Sequence, residues 1–104
     1  MKFLFKKLSI ASDHAGFKLK EKIIKRLKKK KIIVIDLGPN THDPVDYPDF
    51  AKKVARSVAS KKSQIGILVC GSGTGMAMSA NKIKKIRAAV CYNKASTSLS
   101  RKHN

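Results

Sequence analysis

Apolar residues along the chain follow two patterns: short continuous runs, and longer segments in which they return every three or four positions. Continuous runs are typical of strands that are buried on both faces of a parallel sheet. They predict four strands, at residues 8–12, 32–36, 64–70 and 86–92. The periodic segments predict four helices, at residues 13–31, 50–60, 75–83 and 93–104.

The first two helices carry the clearest helical signals. Leu19, Ile23 and Leu27 share one face of the first helix, and Asp13 is available as its N-terminal cap. Pro48 lies near the start of the second helix, where its missing N–H costs nothing. Strands and helices that alternate at this spacing predict one α/β domain over residues 1–104. Its expected architecture is a doubly wound parallel sheet with helices on both faces, a Rossmann-like three-layer fold.

Unusual polar residues follow each predicted strand directly. Asp13 and His14 come after the first strand, and the loop with Tyr47 comes after the second. Residues 70–75 follow the third strand, and Asn93 follows the fourth. In open α/β sheets, ligands bind outside the carboxyl ends of the strands. We therefore expect a binding site on this rim.

The chain has a strongly basic balance, with 24 Lys and Arg against 6 Asp and Glu and a formal net charge of +18. Nucleic-acid-binding proteins neutralise phosphates with such an excess. Here lysine supplies nearly all of it, whereas arginine, which matches bases and phosphates with two hydrogen bonds, is scarce. Two explanations of the charge stay open: a surface that binds nucleic acid, and lysines that merely lie on solvated faces. The composition favours the second.

Other features of the sequence bear on the cellular compartment, on disulfide formation and on metal binding. No apolar run approaches the ~18 residues of a membrane span, and the opening stretch is too short for a signal peptide, so a soluble cytoplasmic protein is expected. Cys70 and Cys91 lack paired C-x-x-C spacing, and a disulfide between them is disfavoured in a reducing compartment. The histidines lack metal-ligand spacing, and His42 is expected to be solvated.

The segment CGSGTG places Cys70 directly before a glycine-rich turn into a helix. This turn matches neither a Walker A motif nor a dinucleotide fingerprint. Its backbone N–H groups suit an anion or a developing oxyanion. Beside these amides a thiolate is favoured, which can act as nucleophile or base. The alternative is a buried cysteine that acts as a small hydrophobic residue.

Five stretches carry a resemblance that spans the chain: SDHAGF (12–17), DYPDFA (46–51), GILVCGSGTGMAMSANK (66–82), IRAAVC (86–91) and LSRKHN (99–104). In this order they resemble type B ribose-5-phosphate isomerase, a family of sugar-phosphate isomerases that includes the galactose-6-phosphate isomerase subunits. The cysteine and the RKHN ending favour the ribose enzyme.

The resemblance implies an aldose–ketose isomerase of the pentose phosphate pathway. It would interconvert D-ribose 5-phosphate and D-ribulose 5-phosphate through a cis-enediolate. The implied partners are a sugar phosphate and a second copy in a homodimer, and no metal or organic cofactor is implied.

The resemblance also implies roles for single residues. Cys70 would remove the C2 proton of the open-chain sugar, Ser72 would assist proton movement between the sugar oxygens, and His103 would open the furanose ring. The amides of residues 71–75 would hold the enediolate. Substrate contacts are implied at the other matched positions: Asp13, His14, Tyr47, Gly71, Gly73, Thr74, Gly75 and Asn104.

Members of the family continue beyond the His-Asn pair with a fifth strand, a closing helix and the arginines that hold the substrate phosphate. This sequence stops at Asn104, so a C-terminally truncated member with weak or no activity is expected. Two alternatives stay open: an inactive relic, and a basic protein that binds nucleic acid or another polyanion.

Overall fold

The computed structural model describes residues 4–41 and 43–104, so the expectation for His42 lies outside the described residues. Strands and helices alternate as far as the third helix, and a fourth helix follows: β1 Lys7–Ser12, α1 Phe17–Lys29, β2 Ile33–Asp36, α2 Tyr47–Ala59, β3 Ile65–Val69, α3 Thr74–Asn81 and α4 Lys94–His103. Three of the predicted strands and all four predicted helices are present.

β1 lies between β2 and β3 in a three-stranded sheet, and both pairings are parallel. Leu8 at the start of β1 pairs with Val34 on one side and Ile65 on the other. α1 connects the central strand β1 to β2 at one edge of the sheet, and α2 connects β2 to β3 at the other edge. Right-handed connections therefore put the two helices on opposite faces. The predicted doubly wound parallel sheet is confirmed.

Successive residues of β1 point to alternate faces of the sheet, and the two faces are built differently. Leu8 and Ile10 pack in an apolar cluster with α1. On the α2 face, the hydroxyl of buried Ser9 is 2.9 Å from that of Ser63, which is 3.0 Å from the hydroxyl of Ser57. These hydroxyls satisfy one another, as polar groups in an interior must.

Lys20 of α1 is a fully buried charged residue. Its ammonium donates to both carboxylate oxygens of Asp36, at 2.9 and 3.0 Å, and to Glu21 Oε1 at 3.3 Å. The Asp36 carboxylate also accepts from the Gly38 N–H at 3.0 Å, and the Gly38 carbonyl accepts from the Ser12 N–H at 3.0 Å. The ion pair thus ties α1 to the carboxyl ends of β2 and β1.

The prediction of a fourth strand at residues 86–92 is wrong, because the sheet of the described residues has three strands. Half-buried and exposed residues alternate from Ile86 to Cys91, but the segment is in no strand ladder. Instead, the Asn81 side chain accepts from the Ala88 N–H at 2.7 Å and donates to the Ala88 carbonyl at 2.9 Å. One amide therefore satisfies both backbone groups that a neighbouring strand would have paired.

The prediction that Asp13 caps α1 is also wrong, because the helix begins at Phe17 and its N-cap is Gly16. The Asp13 carboxylate accepts from the Gly16 N–H at 2.7 Å and so closes a turn ahead of the helix. Short acidic side chains commonly stabilise such turns by binding a backbone N–H a few residues on. The connection from β1 to α1 is consequently held by a carboxylate at the rim.

α4 differs from the other helices in its surroundings. None of its residues is buried, and within the described part of the chain no other helix or strand packs against it. Its first turn is capped by Asn93, whose Oδ1 accepts from the Ser96 N–H at 2.8 Å. The helix is therefore stabilised by bonds within its own sequence neighbourhood.

Candidate active site

A cavity of about 290 Å³ lies at the carboxyl ends of β1 and β3, where α2 and α3 begin. Its wall combines a thiol, a carboxylate, a phenol and the glycine-rich turn: Asp13, Tyr47, Cys70, Gly71, Ser72, Gly75 and Met76. All of these except Met76 are residues that the sequence placed in a site. The volume is just below the usual range for ligand pockets.

Cys70 follows the last residue of β3 and is a half-buried free thiol. Its Sγ accepts a hydrogen bond from the Gly73 N–H at 2.8 Å. This hydrogen bond fixes the position of the sulfur beside the glycine-rich turn. Cys91 is also a free thiol but is exposed and outside the cavity wall, so the two cysteines have different surroundings.

Gly73 makes the contact with sulfur through its backbone conformation. Its φ of 81° lies in the left-handed region, and the residue is the N-cap of α3. A side chain would be strained at this φ, and its Cβ would also lie 3.1 Å from Val90 Cγ1. Glycine is therefore needed for the turn that brings this N–H onto Cys70.

The start of α3 supplies further donors beside the cavity. The helix begins at Thr74, and the first N–H groups of a helix have no partner within it and carry the positive end of its dipole. Gly71 and Gly75 contribute backbone without side-chain bulk to the cavity wall. The turn can therefore hold an anionic oxygen close to the thiol.

Asp13 connects two loops of the rim. While its Oδ1 is bonded to Gly16, its Oδ2 accepts from the Gly71 N–H at 3.4 Å, which is a long hydrogen bond. Its own N–H donates to the Val69 carbonyl at 3.1 Å. The carboxylate thus holds the β1–α1 and β3–α3 loops together, and its second oxygen is only weakly engaged.

Tyr47, the first residue of α2, lies against the glycine-rich turn. A Cβ added to Gly75 would lie 2.8 Å from the phenol oxygen and from two ring atoms of Tyr47. The tyrosine is 41% exposed, so its ring has no tight packing on the solvent side. The missing side chain at Gly75 is what allows the Tyr47 hydroxyl to reach the cavity.

Five residues that the sequence placed in a site are outside the cavity wall: His14, Gly73, Thr74, His103 and Asn104. Gly73 and Thr74 belong to the turn itself, whereas His14 is exposed on the rim. His103 is the exposed last residue of α4. Asn104 follows it, with its backbone oxygen 3.3 Å from Arg87 Nη1. The structure therefore gathers the thiol, Ser72, Asp13 and Tyr47, and leaves both C-terminal residues elsewhere.

Met76 is the cavity residue that the sequence did not indicate. It is 1% exposed and lies in the first turn of α3. An apolar residue in a helix is ordinarily a core residue, so its type gave no signal. Its closeness in sequence to the glycine-rich turn was the one available clue. Met76 adds an apolar side chain to the cavity wall.

Two features are not found within residues 4–41 and 43–104. No three His, Cys, Asp or Glu side chains are grouped as metal ligands would be. No helix there has both the length and the apolar character that crossing a membrane requires.

Comparison with known sequences matches nearly the whole chain. The profile of the Ribose/Galactose Isomerase family matches residues 8–104. A Mycoplasma pneumoniae protein named "Probable ribose-5-phosphate isomerase B" is 46% identical over 96 residues, which are 91% of this chain and 63% of that protein.

Solved structures of similar proteins share the fold. The ribose-5-phosphate isomerase B of Clostridium thermocellum has a TM-score of 0.91 at 47% identity, over 93% of this chain and 66% of the other. The enzyme of Mycoplasma genitalium, solved with bound ribulose-5-phosphate, has a TM-score of 0.87 at 45% identity, over 93% and 65%. This chain thus spans 63% to 66% of the length of these relatives.

Proposed function

This chain belongs to the Ribose/Galactose Isomerase family, and we propose that it carries the proton-transfer centre of a type B ribose-5-phosphate isomerase. The proposed reaction interconverts D-ribose 5-phosphate and D-ribulose 5-phosphate. The observation that carries this proposal is the place of Cys70 in the cavity wall, with its Sγ 2.8 Å from the Gly73 nitrogen. The ribulose-5-phosphate bound to the M. genitalium relative supports the choice of substrate.

In the first step, the Cys70 thiolate removes the proton from C2 of the open-chain aldose. The electron pair of the C2–H bond forms a C1–C2 double bond, and the pair of the C1 carbonyl moves onto O1. The product is a cis-enediolate, and Cys70 becomes a neutral thiol. The hydrogen bond from Gly73 orients the thiolate before this transfer.

The glycine-rich turn stabilises the enediolate in this proposal. Because the Gly73 N–H is directed at sulfur and the Gly71 N–H at Asp13, the sugar oxygens are assigned to the remaining amides of residues 71–75, including those at the start of α3. Removing one donor of such an oxyanion site typically lowers kcat by about 10²–10³. The absence of side chains at Gly71 and Gly75 leaves the enediolate room to approach the backbone.

The second half of the reaction returns the protons. Ser72 Oγ takes the proton of the C2 hydroxyl and delivers one to O1, and the Cys70 thiol then protonates C1. The C2–O bond becomes the carbonyl of the ketose, and the thiolate is regenerated. Asp13 and Tyr47 in the cavity wall hold the sugar hydroxyls during these transfers.

Ring opening of the cyclic sugar is assigned to His103, with His14 and Asn104 as substrate contacts. We further propose that the protein acts in the cytoplasm as a homodimer. The support for the homodimer is the family resemblance, together with the uncovered surface of α4, in which none of the residues is buried.

The test is an isomerase assay on the purified chain and two cysteine variants. Cys70→Ala should lower interconversion by about 10²–10⁴-fold, the usual contribution of a general base. Exchange of the C2 hydrogen with deuterated water, followed by NMR, reports the first step even when turnover is slow. Cys91→Ala is the matched control and should keep both signals. Equal losses in the two variants would contradict the assignment of Cys70.

A further inference from the structure

The charged residues are divided between the two ends of the sheet. All 6 acidic residues lie toward the end that carries the cavity. They follow or end strands, or lie in the early part of a helix or in the loop before it: Asp13, Glu21, Asp36, Asp43, Asp46 and Asp49. Among the described residues, the opposite end, where the strands begin and the long helices finish, has no acidic side chain. Positive charge at that end is therefore uncompensated.

Three lysine-rich segments meet at this opposite end. They are residues 6–7 at the start of β1, residues 28–31 between α1 and β2, and residues 61–62 between α2 and β3, and all their lysines are exposed. Gln64 Oε1 accepts from the N–H groups of Lys6 and Lys7 at 2.8 and 3.1 Å, which holds two of the segments together. The Ile33 N–H donates to the Lys6 carbonyl at 2.8 Å and holds the third. We call these lysines the basic edge.

Helix dipoles explain only part of this arrangement. Lysine is favoured near the C-terminus of a helix, but residues 6–7 stand at the start of a strand. Lys31 and Lys61, with φ of 63° and 64°, adopt the left-handed conformation that glycine usually provides after a helix. For a residue with a side chain this conformation is strained. The ion pairs of the described residues involve Lys20 and leave the basic edge free.

We propose that the basic edge binds the phosphate backbone of a nucleic acid, without reading its bases, at a site separate from the cavity. Three neighbouring strands span about 10 Å, a length along which duplex DNA carries about six phosphates, counting both of its strands, because it has one every ~1.7 Å. Lysine binds a phosphate as a point charge, and no arginine fork for base recognition stands in the three segments.

The test measures binding of the whole chain to a fluorescent DNA duplex of mixed sequence over a range of salt concentrations. An edge variant replaces Lys28, Lys29, Lys30 and Lys62 with Gln. A control variant replaces four exposed lysines elsewhere with Gln: Lys18, Lys22, Lys94 and Lys102. Each has the same formal net charge of +14, which is +18 less 4.

The edge variant should bind at least about 100-fold more weakly at low salt, and its slope of log K against log salt should be shallower by about 3 to 4. The control should keep the slope of the parent and, at 0.15 M salt, where charges beyond about 8 Å are screened, an affinity within about threefold of the parent's. Equal weakening of both variants would overturn the proposal, because net charge alone would then explain binding. Displacement of the duplex by ribose 5-phosphate would also overturn it, as would binding to anionic vesicles but not to the duplex.

A second measurement does not depend on the folding of any variant. Acetylation of lysines in the parent chain, read by mass spectrometry with and without the duplex, maps the bound surface directly. The lysines at 28–31 and 61–62 should be protected, and those of α4 should not. Protection of α4 with full reaction at the basic edge would place the nucleic acid elsewhere and overturn the proposal.

Discussion

The glycine-rich turn and α4 both contain residues expected to act on the sugar, but they are built by different kinds of contact. The turn at residues 70–75 is fixed by the end of β3, by the carboxylate of Asp13 and by the ring of Tyr47, which come from three other parts of the chain. α4 is fixed by its own cap and by side chains that bond its own backbone. An example is Thr97 Oγ1, which donates to the Asn93 carbonyl at 2.7 Å.

This difference separates the two halves of the proposed chemistry. Proton transfer at C2 depends on the turn, and the first three strands and two helices already hold that turn in place. The proposed ring opening is assigned to His103, for which no packing partner is supplied by another helix or strand of the described chain. We therefore expect the first activity to survive in this chain better than the second.

The largest change should come from supplying the part of the relatives that this chain does not match. Joining the C-terminal third of the M. pneumoniae relative to residue 104 should raise kcat/KM for ribose 5-phosphate by about 10²- to 10⁴-fold. The family resemblance places the phosphate-binding arginines in that third, and each charge-assisted hydrogen bond contributes roughly 1.5–3 kcal/mol. Steady-state kinetics of the parent and extended chains measure the ratio.

His103→Ala provides the control for this comparison. In the extended chain it should slow turnover of the cyclic sugar far more than that of an open-chain analogue, and in the parent chain it should change little. Equal activity of the parent and extended chains, with both forms monodisperse, would show that α4 is already functional as it stands.

The next largest effect concerns the ion pair between Lys20 and Asp36, which ties α1 to the carboxyl ends of β2 and β1. Asp36→Asn should lower the free energy of unfolding by about 2–3 kcal/mol, because it leaves the buried Lys20 ammonium without its main counter-charge. This value lies at or below the lower limit of the about 3–5 kcal/mol that breaking a buried ion pair usually costs, because the Asp36 side chain is 33% exposed. Asparagine keeps an acceptor for the Gly38 N–H, so the change isolates the charge. Urea unfolding followed by circular dichroism gives the free energy.

The matched control removes both charges. Lys20→Met with Asp36→Asn should recover most of the lost stability, since a buried pair replaced by apolar atoms of similar volume is often neutral. If the double variant is as unstable as Asp36→Asn alone, the loss comes from the shape of the site rather than from an unpaired charge.

The sequence predicted more of the turn than of the C-terminal part for a physical reason. The turn directly follows a strand and contains alternating glycines, and both are visible in the sequence, so Cys70, Ser72 and Gly75 could be placed on one rim from their spacing alone. Residues 86–92 have the composition of a buried strand, but pairing is decided by neighbours, and Asn81 takes the place of one. The inward position of Lys20 also had no signal, since lysine in a helix is usually exposed.

A smaller and more local effect should follow from Gly75→Ala. The added Cβ meets the free end of the Tyr47 side chain, which can move, so the free energy of unfolding should change by less than about 1 kcal/mol. The phenol would leave the cavity wall, and KM for the sugar phosphate should rise about tenfold, a loss of about 1.4 kcal/mol in binding. Tyr47→Ala and the double variant should show the same KM. Additive increases would mean that Gly75 and Tyr47 act independently.

The smallest effect should appear at the junction between the two regions, where Asn81 holds Ala88 with two hydrogen bonds. Asn81→Ala should lower the free energy of unfolding by about 1 kcal/mol, because both bonds are exposed and water replaces them in part. The Ala88 amide should exchange with deuterium faster, while amides of β1 should not change. Asn81→Asp keeps the acceptor for the Ala88 N–H and should protect that amide nearly as well as the parent does. Unchanged exchange at Ala88 in Asn81→Ala would mean that residues 86–91 are held by packing, such as that of Val90 near Gly73, rather than by this side chain.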